Sequence, residues 1–139
     1  MTRLSWERYA LGIADAASRR SEDPYVRVGA CILRADHSVA SVGFNGSPSG
    51  ISIDWSDRDA RRPKVIHAES NALRYTRPGE GVLLATTMLS CLECVKLTAS
   101  YGIKQIVFSE YYASDSYNED ATRALAEEFG VELNQVKGG

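Results

Sequence analysis

Hydrophobic and polar positions follow two different periods along this chain. From Ser5 to Arg20, the residues Trp6, Tyr9, Ile13 and Ala16 recur at helical spacing behind a serine able to cap. The spacing predicts an amphipathic helix whose aromatic and apolar stripe faces the core. Ser21-Glu22-Asp23-Pro24 ends it, because proline disfavours helical geometry in the residue before it. The apolar run Val26 to Leu33 predicts a buried strand, Arg34 to Ser38 a turn, and Val39 to Phe44 a second strand, together an antiparallel hairpin. His37 falls in the turn and reads as a solvated loop residue. Asn45-Gly46-Ser47-Pro48-Ser49-Gly50 is dense in turn formers, and the polar stretch through Arg62-Pro63 extends it into a long loop, a length commonly functional in compact domains. Beyond it the pattern predicts a helix over His67–Arg74, a strand over Val82–Met88, a helix over Leu92–Tyr101, a strand over Lys104–Phe108, a helix over Glu119–Phe129 and a last strand over Val131–Asn134. Strands alternating with helices imply parallel connections and helices on the faces of the sheet.

Composition narrows the class. The 139 residues suit one domain, 1–139, with a single core, and 44% hydrophobic with 24% charged residues is ordinary for a globular protein. A formal charge of −2 argues against a nucleic-acid partner, since proteins that grip phosphate backbones collect lysine and arginine. It leaves room for a small anionic substrate. No apolar run approaches the roughly 18 to 20 residues of a membrane span, and Met1 to Glu7 lacks the apolar stretch of a secretory signal, so a cytoplasmic protein without a membrane partner is expected. Three cysteines cannot all pair; Cys31, in the strand-like run Val28 to Leu33, reads as a buried core thiol.

The chemistry sits in His67-Ala68-Glu69 and Cys91-Leu92-Glu93-Cys94. One imidazole and two thiolates are the three protein ligands a catalytic zinc takes while a fourth position stays open for water. Both segments fall at helix starts, where unpaired amides and aligned dipoles stabilise the thiolates that metal binding needs. Zinc can lower the pKa of bound water towards about 7. Glu69, in the first turn after His67, can then reach that water and carry its proton. Against this stands a closed structural zinc with Cys31 or His37 as fourth ligand, although such sites usually show two paired ligand knuckles. Glu93 reads as a solvated carboxylate favoured by the helix start.

His-x-Glu followed by Cys-x-x-Cys matches the signature of zinc nucleobase deaminases, with Ser90 in place of the usual proline. The chain also carries Ser18-Arg19-Arg20-Ser21-Glu22-Asp23-Pro24, Val28-Gly29-Ala30-Cys31-Ile32, Gly43-Phe44-Asn45-Gly46-Ser47-Pro48-Ser49-Gly50 and Gly102-Ile103-Lys104-Gln105-Ile106-Val107-Phe108. With these it resembles the deoxycytidylate (dCMP) deaminases of the cytidine deaminase superfamily over most of its length. The resemblance implies a three-layer α/β/α fold around a five-stranded mixed sheet and a homohexamer. It implies hydrolytic deamination of dCMP to dUMP with release of ammonia, supplying dUMP for dTMP synthesis. It also implies activation by dCTP and inhibition by dTTP, with Mg2+ accompanying the effector nucleotide.

Residue by residue, the resemblance makes His67, Cys91 and Cys94 the zinc ligands and Glu69 the proton carrier. It sets the amide of Ala68 against the base edge and Asn45 on the sugar hydroxyl. Arg27 is expected to grip the phosphate, Tyr111 or Tyr112 to pack on the base, and Gly46, Gly50 and Asn71 to form the effector pocket. Two departures stand out. Ser90 could cap the helix start that proline would otherwise shape, and Tyr25 occupies a place where a smaller residue is expected. Spare histidines and cysteines are few, so a further structural zinc is not expected. Competing readings are a deaminase of cytidine, of a cytosine triphosphate or of adenosine in tRNA, and a catalytically silent zinc-dependent nucleotide sensor.

Overall fold

The computed structural model of the protein describes residues 2–111 and 118–137. Along the chain run α1 (Trp6–Ser18), β1 (Gly29–Arg34), β2 (Val39–Phe44), a single 3-10 turn (Arg62–Lys64), α2 (Ala68–Leu73), β3 (Gly81–Met88), α3 (Leu92–Ser100), β4 (Gln105–Glu110), α4 (Glu119–Glu128) and β5 (Glu132–Gln135). The five strands form one sheet in the order β2-β1-β3-β4-β5. β1 pairs antiparallel with β2 and with β3, while β3, β4 and β5 run parallel. The mixed sheet and the expected alternation of strands and helices are both found, with element ends differing by a residue or two in the second half.

Strand side chains alternate between faces, and the alternation sorts the core into two layers. Cys31, Leu33, Leu83, Ala85 and Val107 pack with Ala10, Leu11 and Ala14 of α1. Ala30, Ile32, Leu84 and Ile106 pack on the opposite face with Ala68, Ala72 and Leu73 of α2, Val95 of α3 and Ala126 of α4. Helices therefore cover both faces, giving the three-layer arrangement.

The buried stripe of α1 is not the expected one. Ala10, Leu11, Ala14, Ala17 and Ser18 face inward, whereas Trp6 and Tyr9 are exposed. Ser5 does cap the helix, accepting from the Arg8 amide at 3.1 Å. The reason for the rotated face is the closeness of the sheet: a Cβ on Gly29 would lie 1.8 Å from the Ala14 carbonyl oxygen. Only small side chains fit such a contact, and Trp6 instead stacks on His37, centroids 4.2 Å apart, across the hairpin turn.

The expected strand start at Val26 also shifts, to Gly29. Side chains take the amides that a ladder would use: Asp23 Oδ1 accepts from Tyr25 and Val26 at 2.8 and 3.2 Å, and Asn45 Oδ1 accepts from Val28 at 2.8 Å. On the other face Gly43 lets β2 meet α2 backbone to backbone, since a Cβ there would stand 2.5 Å from the Ala72 nitrogen and 2.7 Å from the Ala68 oxygen. That contact fixes the helix whose first turn carries His67 and Glu69.

Candidate metal centre and its surroundings

His67 is the N-cap residue of α2 and Cys91 the N-cap residue of α3; Cys94 follows in the first turn of α3. The two helix starts converge, so residues far apart in sequence bring their donor atoms together. His67 Nδ1 lies 3.3 Å from Cys94 Sγ and 3.5 Å from Cys91 Sγ. All three ligand atoms lie within 4.8 Å of one another. Zinc at its usual Zn–S and Zn–N distances and a tetrahedral angle would set nitrogen and sulfur about 3.6 Å apart. The donor set therefore fits zinc in chemistry and spacing, with Nδ1 as the nitrogen that would face the metal.

Among the described residues no fourth histidine, cysteine or carboxylate joins this group. Cys31 is buried on the α1 face of the sheet, and His37 is stacked on Trp6 at the hairpin turn. Neither alternative fourth ligand is near, which disfavours a closed structural site. His67 faces solvent while Cys94 is buried, so the cluster opens on one side to the exterior.

The protons of the cluster are shared. Hydrogen bonds from Cys94 and from the His67 ring hold the Cys91 thiol down at about 4, and the same contact with Cys91, with burial, pushes Cys94 up. The Cys91 thiolate in turn raises His67. A divalent cation would replace these protons, because zinc binds thiolates and neutral imidazole.

Glu69 is 4% exposed in the first turn of α2, two residues after the candidate ligand His67. Burial raises its carboxyl above the ordinary range, which suits a group that must hold a proton for part of a reaction. Ala68, the first residue of α2, is fully buried. Its amide is one of the helix-start donors without an intrahelical acceptor.

Ser90 does not cap α3. The N-cap position belongs to Cys91, without a side-chain cap, and the Ser90 hydroxyl is buried without a hydrogen-bond partner. It lies near enough to Glu69 to influence that carboxyl, but the two are not aligned as donor and acceptor.

The other residues expected at the site lie partly in and beside the long loop and partly away from it. Asn45 is buried; its Nδ2 donates to Val26 O at 2.9 Å and approaches Asp23 Oδ2 at 3.4 Å, and its Oδ1 accepts from Val28. Gly46 closes the base of the loop in a two-way bridge with Ile66: the Gly46 amide donates at 3.1 Å and the Ile66 amide at 2.8 Å. Asn71 donates from Nδ2 to Phe44 O at 2.8 Å, beside that bridge, while Gly50 is exposed further out with φ +80°. Arg27 is exposed and makes no ion pair or hydrogen bond among the described residues. Tyr111 sits edge-on to Phe108 and accepts from Arg123 Nη2 at 2.6 Å; Tyr112 lies outside the described residues.

Two residues to which the sequence assigns no site role hold this region together. Asp23 is 1% exposed and Arg61 8% exposed, with Arg61 Nε 3.3 Å from Asp23 Oδ2. The Tyr25 ring lies under Arg61 and its hydroxyl donates to Trp55 O, so the larger residue at position 25 ties the loop down. The Asp23-Pro24 pair, a turn initiator, was the one local sign of the Asp23 role.

The zinc-binding region of cytidine and deoxycytidylate deaminases matches residues 4–110. The deoxycytidylate deaminase of Homo sapiens is 33% identical over 138 residues, covering 92% of this chain and 78% of its own length. ComE operon protein 2 of Bacillus subtilis (strain 168) is 31% identical over 146 residues, covering 99% of this chain and 74% of its own length. The crystal structure of dCMP deaminase from the cyanophage S-TIM5 in apo form superposes with a TM-score of 0.78 at 25% identity, covering 97% of this chain and all, 100%, of that one. Its complex with dCMP and dUMP shares the fold with a TM-score of 0.81 at 24% identity, covering 98% of this chain and 100% of that one.

Proposed function

This chain belongs to the cytidine and deoxycytidylate deaminase family, and from that premise we propose that it is a zinc-dependent dCMP deaminase, converting dCMP and water to dUMP and ammonia. The observation that carries the reading is the convergence of His67, Cys91 and Cys94 within 4.8 Å, with the buried carboxyl of Glu69 two residues beyond His67. Support for the substrate comes from the deoxycytidylate deaminases to which the chain is similar over nine-tenths of its length.

His67, Cys91 and Cys94 would hold the zinc, which supplies Lewis acidity that makes water a nucleophile at neutral pH. Glu69 receives the proton of the attacking water and delivers it to the ring nitrogen beside the amine-bearing carbon. It then carries the second proton to the departing amine, which leaves as ammonia, and ends the cycle as it began. The Ala68 amide orients the base edge. Asn45 keeps one lone pair of Oδ1 after bonding Val28, and that oxygen accepts from the sugar hydroxyl. Arg27, with its guanidinium free, grips the phosphate, and Tyr111 packs beside the base.

The finer parts of the reading follow from family likeness. The product feeds dTMP synthesis in the cytoplasm. dCTP with Mg2+ activates and dTTP inhibits through a pocket at Gly46, Gly50 and Asn71. The subunits assemble as a hexamer, for which Trp6, Tyr9, Val42 and Phe44, all exposed on α1 and on the same face of β2, offer apolar surface.

One assay tests the whole: purified protein with dCMP, with and without dCTP, dTTP and Mg2+, following ammonia release. Conversion of dCMP supports the assignment. Conversion of cytidine, dCTP or tRNA adenosine instead would replace the substrate, and nucleotide binding without turnover of any of them would make the chain a sensor.

A further inference from the structure

Arg61 is a cation whose surroundings are incomplete. It is 8% exposed, yet its Nε is buried without a hydrogen-bond partner, 3.3 Å from Asp23 Oδ2 but out of line with it. Neither Nη nitrogen donates a hydrogen bond among the described residues. A guanidinium offers five N–H donors in a fixed fork; the buried Nε is unmet, which costs free energy, while the Nη donors, bonded to no described residue, are open to an acceptor from outside.

The groups around it say which acceptor. Arg61 lies over one tyrosine ring, Tyr25, at 5.0 Å, and Arg58 lies over the same ring at 5.8 Å. Arg58 makes no ion pair among the described residues, and Asp23 is the carboxylate paired with Arg61. An anion brought between them would relieve their repulsion and fill the empty fork. Asp23 also faces Nδ2 of Asn45 and accepts from Tyr25 and Val26, so Arg61 is one side chain removed from Asn45 and braces the segment that leads into Arg27.

We infer that Arg61 receives a phosphate monoester and, with Arg27, forms the phosphate subsite that distinguishes a nucleotide from a nucleoside. The inference rests on the deaminase reading for the rest of the ligand, while the anion-binding role of Arg61 stands on the local geometry alone. A purely structural strut between loop and strand is the competing role.

The test compares the zinc-loaded full chain with its Arg61→Met and Arg61→Lys variants by calorimetric titration of dUMP, deoxyuridine and inorganic phosphate. Arg61→Met should weaken dUMP binding about 10- to 100-fold, the worth of charge-assisted hydrogen bonds, and leave deoxyuridine binding unchanged. Arg61→Lys, which keeps the charge and loses the fork, should fall between. A structural strut would lower the melting temperature without altering the ratio of dUMP to deoxyuridine affinity, and an unchanged ratio overturns the inference. Should Arg61→Met not fold, the ratio in Arg61→Lys decides in the same way. If wild type ignores both dUMP and deoxyuridine, the deaminase reading fails by itself. Inorganic phosphate then separates the two: a melting temperature raised by phosphate more in wild type than in Arg61→Lys keeps the anion site, and no difference removes it.

Discussion

Gly43 of β2 and Ala72 of α2 meet with no side chain between them: a methyl group on Gly43 would stand 2.5 Å from the Ala72 amide nitrogen. The same methyl would press on the Ala68 carbonyl oxygen at 2.7 Å, so the contact sets the height of α2 over the sheet and with it the position of the His67 imidazole. Gly43→Ala should cost about 1 to 3 kcal/mol, the range for overpacking a filled core, and should weaken zinc retention by displacing the first turn of α2. Thermal melting and metal content of the purified variant check both; a variant as stable and as zinc-rich as wild type would show that α2 can lift without moving its ligands.

Glu69→Gln keeps the shape of the buried side chain and removes its capacity to carry protons. Turnover of dCMP should fall by about 100- to 10,000-fold, the usual scale for a lost general acid–base group, with zinc bound one per chain as before. Steady-state rates and elemental analysis give the two readings. Loss of the metal along with activity would instead make Glu69 part of the metal's support.

Chelation of the zinc should abolish turnover and leave the protein folded, because the two apolar layers on either side of the sheet are complete without it. Far-UV circular dichroism should hardly change, while amide exchange should quicken at the starts of α2 and α3 and slow again when zinc is returned. Global unfolding on chelation would give the metal a structural rank that the core does not suggest.

The Cys31 thiol is pushed by burial from 9.0 up to about 11. A folded value raised above the unfolded one favours the folded state fully below pH 9, and the contribution is lost as pH climbs through the interval to about 11. Native protein at pH 8 should leave Cys31 unreacted with iodoacetamide, and urea-unfolded protein should react; peptide mass spectrometry distinguishes the sites. In Cys31→Ala the alkaline decline in stability over that interval should be shallower.

Ser90→Ala removes a buried hydroxyl that has no hydrogen-bond partner. Stability should stay level or rise by about 1 kcal/mol, since an unmet buried polar group costs free energy. Turnover and zinc content should hold. A marked fall in turnover with zinc intact would mean that the hydroxyl steadies Glu69 in the working enzyme.

What sequence reading recovers here is what short-range chemistry decides. His67-x-Glu69 and Cys91-x-x-Cys94 are spaced by local helix geometry, so each half of the site is legible by itself, while their meeting depends on how the sheet places the two helix starts. The hairpin of β1 and β2 is likewise local. The buried face of α1 differs from the expected one because hydrophobicity ranks Trp6 and Tyr9 above Ala10 and Ala14, whereas the approach of Gly29 demands small residues, a demand set by the sheet and not by the helix. The Asp23–Arg61 pair joins residues 38 positions apart across the long loop, and no periodicity in either segment announces it. The displaced start of β1 has the same origin: Asp23 and Asn45 take the amides of Tyr25, Val26 and Val28 for themselves.

The paired backbone bonds between Gly46 and Ile66 act as a clasp at the neck of the intervening stretch. Residues beyond a closed neck can lengthen, shorten or be exchanged while the imidazole one step past Ile66 stays where it is. Natural or engineered diversity in ligand choice can therefore accumulate in that appendage as if it were a replaceable attachment, with the hydrolytic machinery insulated from the experiment.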